Sequence, residues 1–248
     1  MDKPMNELFE RVEKSLANLD GSTAEMQDWS LNYFRNHRKR YMSDIGVVMK
    51  YHETGRILEL GSAPFHFTAL LREMGLPVTG VDINPERFSG YIRSEGLDVV
   101  KCDVENEELP FGDGSFQLVV FNEVFEHMRI NPITTLQKIH RVIQPGGYLM
   151  LSTPNLYSIV TYINFLMGKG FDDPYEQFDK LQKFGHMGHV REYAVPQVRK
   201  FLRKTGFEEV EVKMQSHTPL KGLWTPFNFI RLLFPRFHAF QTHIWRKK

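Results

Sequence analysis

The spacing of apolar residues between positions 56 and 155 changes repeatedly from that of a short buried strand to that of an amphipathic helix. This alternation predicts strands at 56–60, 78–81, 98–102, 117–121 and 148–152, and helices at 67–74, 85–94 and 132–143. Strands that alternate with helices form a parallel sheet covered on both faces, and ligands of such sheets bind beyond the carboxyl ends of the strands. We therefore expect an α/β protein with a doubly wound sheet whose functional residues lie at the strand ends.

The first 52 residues have a helical pattern without strands. Their apolar residues recur at spacings of three, four and seven, which predicts one buried helix face made of Leu31, Phe34, Tyr41, Ile45 and Val48. A helical N-terminal cap over 1–52 is expected to precede the main domain, 53–248. The basic run at 35–40 is either a solvated helix face or a site for an anionic substrate.

The regular alternation stops after Ser152. Residues 155–192 form a long connection rich in Tyr and Phe, including Phe171 and Phe184. A connection of this length in a compact domain is typical of a lid or substrate-binding element. Beyond it we predict a helix over 196–204, a strand over 208–214 and a last strand near 239–245.

Two residues at predicted strand ends suggest the kind of ligand. Gly61 follows the first strand, and Asp82 ends the next strand 21 residues later. The glycine lets the backbone turn sharply beside a ligand, and an acid at this distance can accept hydrogen bonds from a ribose diol. The pair indicates a nucleoside- or dinucleotide-binding site, although a strand-end aspartate is also often only the N-cap of the next helix.

Four strand-end motifs extend this pattern: RILELGSAPF, VTGVDINPERF, KCDVENEELPFGDGSFQLVVFNEVFEHM and LQKIHRVIQPGGYLMLSTPN. In order and spacing they resemble the class I S-adenosylmethionine-dependent methyltransferases, strongly over about 56–155 and more loosely over GHVREYAVPQVRKFLRKTGFEEVEV. The resemblance implies a Rossmann-like doubly wound sheet, mostly parallel with an antiparallel last strand, that binds S-adenosylmethionine.

The resemblance also implies a set of cofactor-binding residues: Glu59, Gly61, Ser62, Asp82, Ile83, Cys102, Asp103, Asn122 and Glu123. Glu59 and Gly61 would flank the methionine part of the cofactor, and Asp82 would hold the ribose hydroxyls. Ile83 would pack on the adenine face, and Asp103 would lie near the adenine amino group.

The first loop departs from the family's pattern, which is an acid followed by glycines at alternate positions. This chain has Glu59, Gly61, Ala63 and Phe65 at the four corresponding places. A lost glycine matters because the backbone must approach the ligand closely in this loop. Either the loop turns Phe65 into the core, or the protein is a methyltransferase-like binding module that no longer catalyses a reaction.

Methyl transfer to a hydroxyl needs a positioned acceptor and a group that removes its proton. Glu123, Glu126 and His127 are spaced i, i+3, i+4, and they would share one face if the segment after the fourth strand were helical. His127 is the candidate general base, and Glu126 and His189 are the other candidate catalytic residues. The resemblance implies that Asn122 and Glu123 border the cofactor and the substrate.

The Glu-x-x-Glu-His sequence at 123–127 also resembles the metal-binding motif of ubiquinone-pathway O-methyltransferases and small-RNA 2′-O-methyltransferases, in which a later histidine completes the site. Such a carboxylate-rich site would suit Mg²⁺ or another hard ion. The same sequence is common in relatives that bind no metal. A metal site, a metal-free base and a structural role therefore stay open, with S-adenosylmethionine as the expected cofactor and a divalent metal as the less favoured addition.

The net charge of +1 and the single cysteine narrow the class of protein. A nearly neutral chain has no electrostatic drive toward nucleic acid, so no nucleic-acid partner is expected. Cys102 alone cannot form an internal disulfide, which fits a reducing cytoplasm. The N-terminus is not patterned like a signal peptide, and the longest apolar run, 156–167, is too short to span a bilayer, so we expect a cytoplasmic protein.

Basic charge is concentrated late in the chain, where residues 196–248 hold 11 Lys and Arg against 3 Glu. Within them, 223–240 (LWTPFNFIRLLFPRFHAF) is dense in aromatic residues and has no acid. This composition suits peripheral contact with a membrane or a lipid-linked anionic substrate. The alternative is that the rings close the sheet edge and the lid, and Pro226 and Pro235 argue against one long amphipathic helix.

The expected function is S-adenosylmethionine-dependent methyl transfer, with a hydroxyl of a small molecule, a sugar or a lipid-linked compound as the acceptor. A nicotinamide oxidoreductase would need a glycine-rich first loop and hydride-handling residues, and the sequence shows neither. The non-catalytic binding module is the remaining alternative.

Overall fold

The computed structural model describes residues 3–16, 24–170, 172–184 and 188–248. Within these ranges the α-helices are α1 (Lys3–Leu16), α2 (Ala24–Tyr51), α3 (His66–Glu73), α4 (Ser89–Ser94), α5 (Pro132–Val142), α6 (Ile159–Leu166), α7 (Pro174–Phe184), α8 (Val195–Lys204) and α9 (Phe227–Leu233). The strands are β1 (Ile57–Leu60), β2 (Val78–Asp82), β3 (Val99–Lys101), β4 (Phe116–Asn122), β5 (Ile143–Pro154), β6 (Phe207–Gln215) and β7 (Phe240–Lys247). Short 3-10 helices lie at Pro85–Phe88, Phe125–His127, Gly222–Trp224 and Pro235–Phe237.

The strands form one sheet in the order β3-β2-β1-β4-β5-β7-β6. β1 pairs in parallel with β2 and β4, and β2 pairs in parallel with β3. β7 is antiparallel to both β5 and β6. The expected α/β fold, a Rossmann-like sheet that is mostly parallel with an antiparallel last strand, is confirmed.

Most predicted strands lie within two residues of the observed ones at each end, and β5 is the exception. It begins at Ile143, five residues before the predicted start, and runs through the Pro-Gly-Gly sequence at 145–147. The predicted helix 85–94 is divided, because the chain forms a 3-10 helix at Pro85–Phe88 before α4.

The chain divides into two compact units, residues 1–120 with 141–147 and residues 121–140 with 148–248, called the first and second units below. In the first unit α1 and α2 pack through Phe9 and Phe34, whose ring centroids lie 5.6 Å apart. The apolar face predicted on α2 is buried from Phe34 to Val48. The buried face explains why this segment, which has several helix-disfavouring residues, holds a long helix.

Two arginines of the basic run at 35–40 on α2 contact α1. Arg35 forms an ion pair with Glu13 at 2.7 Å, and the guanidinium of Arg38 lies over the ring of Phe9. Arg40 instead lies against aromatic rings of α2 itself. The interpretation of this run as a solvated helix face fits Arg35, which is exposed, but is wrong for Arg38 and Arg40, which are half-buried against aromatic rings.

The connection 155–192 belongs to the second unit and contains α6 and α7, which the aromatic-rich sequence did not predict. The helix α6 begins after Ser158, whose Oγ accepts a hydrogen bond from the Thr161 N–H. Phe171, one of the aromatic residues expected in the lid, lies outside the described residues, as do 185–187.

The C-terminal aromatic segment folds as short helices separated by prolines, as the positions of Pro226 and Pro235 predicted. Phe229 and Phe234 are exposed, so the expectation that the aromatic rings close the sheet edge is wrong for these two. None of the described helices is both long enough and apolar enough to cross a bilayer.

Candidate active site

The loop after β1 is built around two residues with left-handed backbone conformations. Gly61 (φ 68°) turns the chain, and the N–H and Oγ of Ser62 both donate to the Val81 carbonyl oxygen, at 3.0 and 3.1 Å. Phe65 also has φ 68°, and its ring is fully buried against Phe88, with centroids 5.8 Å apart. The loop therefore turns Phe65 into the core, as the first of the two expected outcomes requires, and the ring does not cover the loop.

Asp82 ends β2, and backbone amides hold its carboxylate. Oδ2 accepts the N–H of Ala63 at 3.2 Å, and Oδ1 accepts the N–H of Asn84 at 2.9 Å. Asp82 is not the N-cap of the following 3-10 helix, because Asn84 occupies that position. Each carboxylate oxygen has a further lone pair, so the fixed carboxylate can still accept hydrogen bonds from a diol.

Glu59, the acid of the first loop, is buried and accepts a hydrogen bond from the Thr68 hydroxyl. Burial raises the pKa of Glu59 to about 8, and the Thr68 hydrogen bond and the charge of Arg40 oppose that rise. The carboxyl therefore carries its proton at neutral pH.

His66 is a buried residue beside the first loop that the sequence pattern did not single out. Its Nε2 lies 2.8 Å from the Ser30 Oγ, and its Nδ1 lies 3.2 Å from the Tyr41 hydroxyl. Burial lowers the pKa of His66 to about 3, so the ring is neutral. Ser30 and Tyr41 are polar residues on the inward face of α2. Their hydroxyls need hydrogen-bond partners, and this could have indicated a buried polar residue such as His66.

The other predicted cofactor residues of the first unit lie at the ends of β2 and β3. Ile83 is 53% exposed although it is a large apolar residue. Cys102 is buried, and its N–H donates to the Asp82 carbonyl oxygen at 3.0 Å. The Asp103 carboxylate accepts the N–H groups of Glu105 and Asn106, so it closes a turn.

In the second unit, Asn122 and Glu123 end β4. Neither polar atom of the buried Asn122 amide has a hydrogen-bond partner among the described residues. A buried amide without partners is costly, and it fits a ligand that offers both a donor and an acceptor. Glu123 is tied to Ser152, whose Oγ donates to its Oε1 at 2.7 Å.

The segment after β4 is not the predicted helix. Glu123 has φ 56°, a left-handed conformation that breaks helical continuation, and only the 3-10 turn Phe125–His127 follows. The i, i+3, i+4 argument is therefore wrong. Glu126, His127 and His189 nevertheless converge, because the N–H groups of Val190 and the next residue donate to the Glu126 carbonyl oxygen.

Glu126 is the buried centre of this cluster. Its Oε1 lies 3.9 Å from the Nε2 atoms of both His127 and His189, which is too far for hydrogen bonds, and its Oε2 accepts the Thr153 hydroxyl at 2.9 Å. Burial, and then the negative charge of Glu123, raise the pKa of Glu126 well above its usual range. Its Oε1 has no hydrogen-bond partner among the described residues.

The two histidines have different surroundings. His127 Nδ1 lies 3.0 Å from the Gly188 carbonyl oxygen, and a carbonyl can only accept, so Nδ1 carries the hydrogen. Nε2 is then the nitrogen that bears the lone pair in the neutral ring. His189 lies with Nδ1 3.6 Å from Oε1 of Glu192, an acid that the sequence patterns did not single out.

The same three side chains are a candidate metal centre. One carboxylate oxygen of Glu126 and one nitrogen each of His127 and His189 lie within 4.8 Å of one another. Carboxylate and imidazole are common ligands of divalent cations, so the donor set is compatible with one.

Several known proteins similar to this chain are methyltransferases. A family model described as a methyltransferase domain matches residues 33–212. The demethylmenaquinone methyltransferase of Geobacillus stearothermophilus is 28% identical over 221 residues, which are 82% of this chain and 91% of that protein. A ubiquinone biosynthesis O-methyltransferase of Pseudomonas aeruginosa is 26% identical over 145 residues, which cover 52% of this chain and 60% of that protein.

Solved structures show the same fold. A methyltransferase structure from Thermotoga maritima superposes with a TM-score of 0.60 and 21% identity, and the match covers 98% of this chain and 100% of that one. Because the family model spans well over half of the sequence, the chain belongs to the methyltransferase domain family and is a class I S-adenosylmethionine-dependent methyltransferase.

Proposed function

We propose that this methyltransferase methylates a hydroxyl of an apolar or aromatic acceptor, which is a small molecule, a sugar or a lipid-linked compound. The observation that carries the proposal is His127, whose Nδ1 hydrogen bond directs the lone pair to Nε2 beside the buried Glu126. Transfer to oxygen requires such a base, because a hydroxyl must lose its proton as it gains the methyl group.

S-adenosylmethionine supplies the methyl group on a positively charged sulfonium. His127 Nε2 accepts the acceptor's proton, and the Gly188 carbonyl stabilises the resulting imidazolium through the hydrogen on Nδ1. Glu126, 3.9 Å away, favours the protonated ring when it is ionised. His189, between Glu126 and Glu192, would hold the acceptor oxygen or assist as a second base.

The cofactor-binding roles follow from the positions of the residues at the strand ends. In the first unit, Glu59, Gly61 and Ser62 would flank the methionine part, Asp82 would bind the ribose hydroxyls, and Ile83, Cys102 and Asp103 would surround the adenine. In the second unit, Asn122 and Glu123 would supply further polar contacts. The unpartnered Asn122 amide and the remaining lone pairs of Asp82 support these assignments.

We also propose that 1–52 is the cap and 155–192 the lid of a methyltransferase domain over 53–248. Exposed aromatic residues in the lid segment, including Tyr157 and Tyr175, support an acceptor with an apolar body. Two relatives named for demethylmenaquinone and ubiquinone biosynthesis support the same acceptor class. The buried ring of Phe65 removes one of the two residues that favoured a non-catalytic binding module; Ala63 is the other.

The test is a methyl-transfer assay with the full chain, S-adenosylmethionine and a panel of hydroxyl acceptors. The panel contains catechol, alkyl-substituted hydroquinones and sugars, beside matched amines and thiols. We expect mass spectrometry to detect one added methyl on a hydroxyl acceptor. Methylation of only amines, thiols or carbon would contradict O-methyl transfer, while calorimetric titration would show whether the cofactor binds.

A second candidate is a metal-assisted version of the same reaction, which the grouping of Glu126, His127 and His189 favours. A chelator titration separates the two versions. Activity that survives the chelator supports the metal-free base, and activity that is lost and then restored by one divalent cation supports the metal.

A further inference from the structure

One surface of the second unit is apolar although the structure shows it exposed. It combines the end of α6 with α9 and the residue that follows each helix, and we call it the apolar patch: Tyr162, Phe165, Leu166, Met167, Phe229, Leu232, Leu233 and Phe234. Leu166 is 72% exposed and Leu232 is 75% exposed. Grouped exposure of this kind is uncommon on a monomeric protein and marks an interaction surface.

Phe237 joins the two parts of the apolar patch. Its ring centroid lies 5.9 Å from that of Tyr162 on the α6 side and 6.3 Å from that of Phe234 on the α9 side. The Asn155 Nδ2 donates to the carbonyl oxygens of Arg236 and His238, both at 2.8 Å. The chain before α6 is thereby fixed to the chain after α9, so the parts lie side by side.

The two chain segments that carry the apolar patch have charge of one sign. Lys169, Lys221 and Arg236 are exposed, and residues 159–170 and 212–248 contain no Asp or Glu. Acidic residues begin beyond these two segments, at Asp172 and Asp173 and on α7, which carries Glu176 and Asp179.

We propose that the apolar patch docks on an anionic lipid bilayer. Exposed Phe, Leu and Tyr side chains enter the boundary between headgroups and acyl chains, while Lys and Arg at their margin contact lipid phosphates. A second copy of this chain, using the same surface, would bring the cations of Lys221 and Arg236 against like charges. An anionic membrane therefore matches both properties of the surface, and this docking is independent of the acceptor proposed above.

The experiment is co-sedimentation of the full chain with lipid vesicles at low salt. One vesicle preparation contains phosphatidylglycerol and phosphatidylcholine, and the other contains phosphatidylcholine alone. We expect binding to the anionic vesicles that weakens as salt is added. Leu232→Gln should lower the affinity for anionic vesicles about tenfold, because burying a leucine side chain contributes a binding free energy of that size.

Two further variants make the result specific. Met49→Gln alters a similarly exposed apolar residue on α2, and it should bind vesicles like the unaltered chain. The double variant Lys221→Glu, Arg236→Glu should lose the preference for anionic vesicles. Thermal unfolding of each variant shows that it is folded.

Failure of the unaltered chain to bind anionic vesicles, or equal binding by Leu232→Gln, would overturn the proposal. Sedimentation velocity that shows a dimer abolished by Leu232→Gln, without vesicle binding, would assign the surface to a second copy. Methyl transfer to a soluble acceptor is measured separately, so failure of the proposed reaction does not affect this result.

Discussion

The loops that carry the proposed cofactor residues in the first unit differ from the Glu–His cluster of the second unit in how their buried polar groups are satisfied. Both oxygens of Asp82 accept backbone hydrogen bonds, and both ring nitrogens of His66 have hydroxyl partners. In the second unit, Asn122 and Glu126 have buried polar atoms without partners among the described residues.

The unpartnered atoms belong to Asn122, which we propose as a cofactor contact, and to Glu126, which lies in the proposed proton-transfer cluster. A buried polar atom without a partner costs about 1–3 kcal/mol, so a fold retains such atoms where something else uses them. In the first-unit loops the buried polar groups of Asp82 and His66 already have hydrogen-bond partners, so these loops can bind a ligand without rearranging. The cluster around Glu126 instead holds a raised pKa beside two imidazoles, which is the arrangement expected of groups that exchange protons.

The largest effect is expected from His127→Ala. It should lower kcat by about 100-fold to 10⁴-fold, because a positioned general base contributes that much, while leaving the S-adenosylmethionine Kd unchanged. Steady-state kinetics with the acceptor found in the panel would measure it. His217→Ala removes a histidine outside the cluster and should leave kcat near the original value. A loss below about threefold in His127→Ala would reject it as the base.

Asp82→Ala should affect binding instead of rate. Charge-assisted hydrogen bonds contribute roughly 1.5–3 kcal/mol each, so losing those to two ribose hydroxyls should raise the Kd for S-adenosylmethionine about 100-fold or more. Calorimetric titration measures this. Asp98→Ala, which removes a different aspartate bonded to Thr79, is the matched control and should retain affinity. Equal affinity in the Asp82 and Asp98 variants would contradict the ribose assignment.

The sheet could be predicted from sequence because its strands are short apolar runs with clear ends. β2 and β4 were placed within one residue at each end, since glycine, aspartate and asparagine interrupt the apolar pattern there. The helices α6 and α7 could not be predicted in the same way. Their aromatic residues are largely exposed, for example Tyr162 and Tyr175, so no buried face gives them a helical period.

Prediction of the candidate active site from sequence was limited in a different way. The residue types in Glu-x-x-Glu-His correctly indicated a group of polar side chains, but the assumed helix was wrong because Glu123 adopts a left-handed conformation. His189 joins the group through backbone hydrogen bonds to Glu126, and such long-range pairing leaves no periodic signal in the sequence. Glu192 went unnoticed for the same reason, whereas polar Ser30 and Tyr41 on α2 could have indicated a buried partner such as His66.

Glu59→Gln tests the raised pKa of Glu59, which lies in the first unit. The unfolded chain ionises this carboxyl above its usual pKa of 4.5, whereas the folded chain keeps the proton to about pH 8. The original protein should therefore lose stability as pH rises through that window. Glutamine cannot ionise, and its side chain can still accept the Thr68 hydrogen bond. The variant should therefore be more stable than the original protein above pH 8. The expected difference is only about 2 kcal/mol, because a buried amide retains part of the free-energy cost of burying a polar group.

Denaturant unfolding at pH 5 and pH 9 measures this difference. Glu59→Gln should be less stable than the original protein at the lower pH, where only the buried amide distinguishes the two, and more stable at the higher pH, where the original carboxyl is ionised. A constant difference between the two at both pH values would show that Glu59 is ionised throughout, contrary to its buried position. The same substitution in Glu86, which is exposed and forms a surface ion pair with Lys101, should change stability little.

The smallest effect is expected at Ile83, whose exposed side chain is proposed to cover the adenine. Because it is already 53% exposed, Ile83→Ala should leave the free energy of unfolding nearly unchanged, while the Kd for S-adenosylmethionine should rise about fivefold through lost apolar contact. The affinity for adenosine alone should fall by the same factor, and the affinity for methionine should not change. Met49→Ala provides an equally exposed control within the first unit. If Ile83→Ala lowers stability but not affinity, the residue belongs to the scaffold, and the adenine must be held by the segment around Cys102 and Asp103.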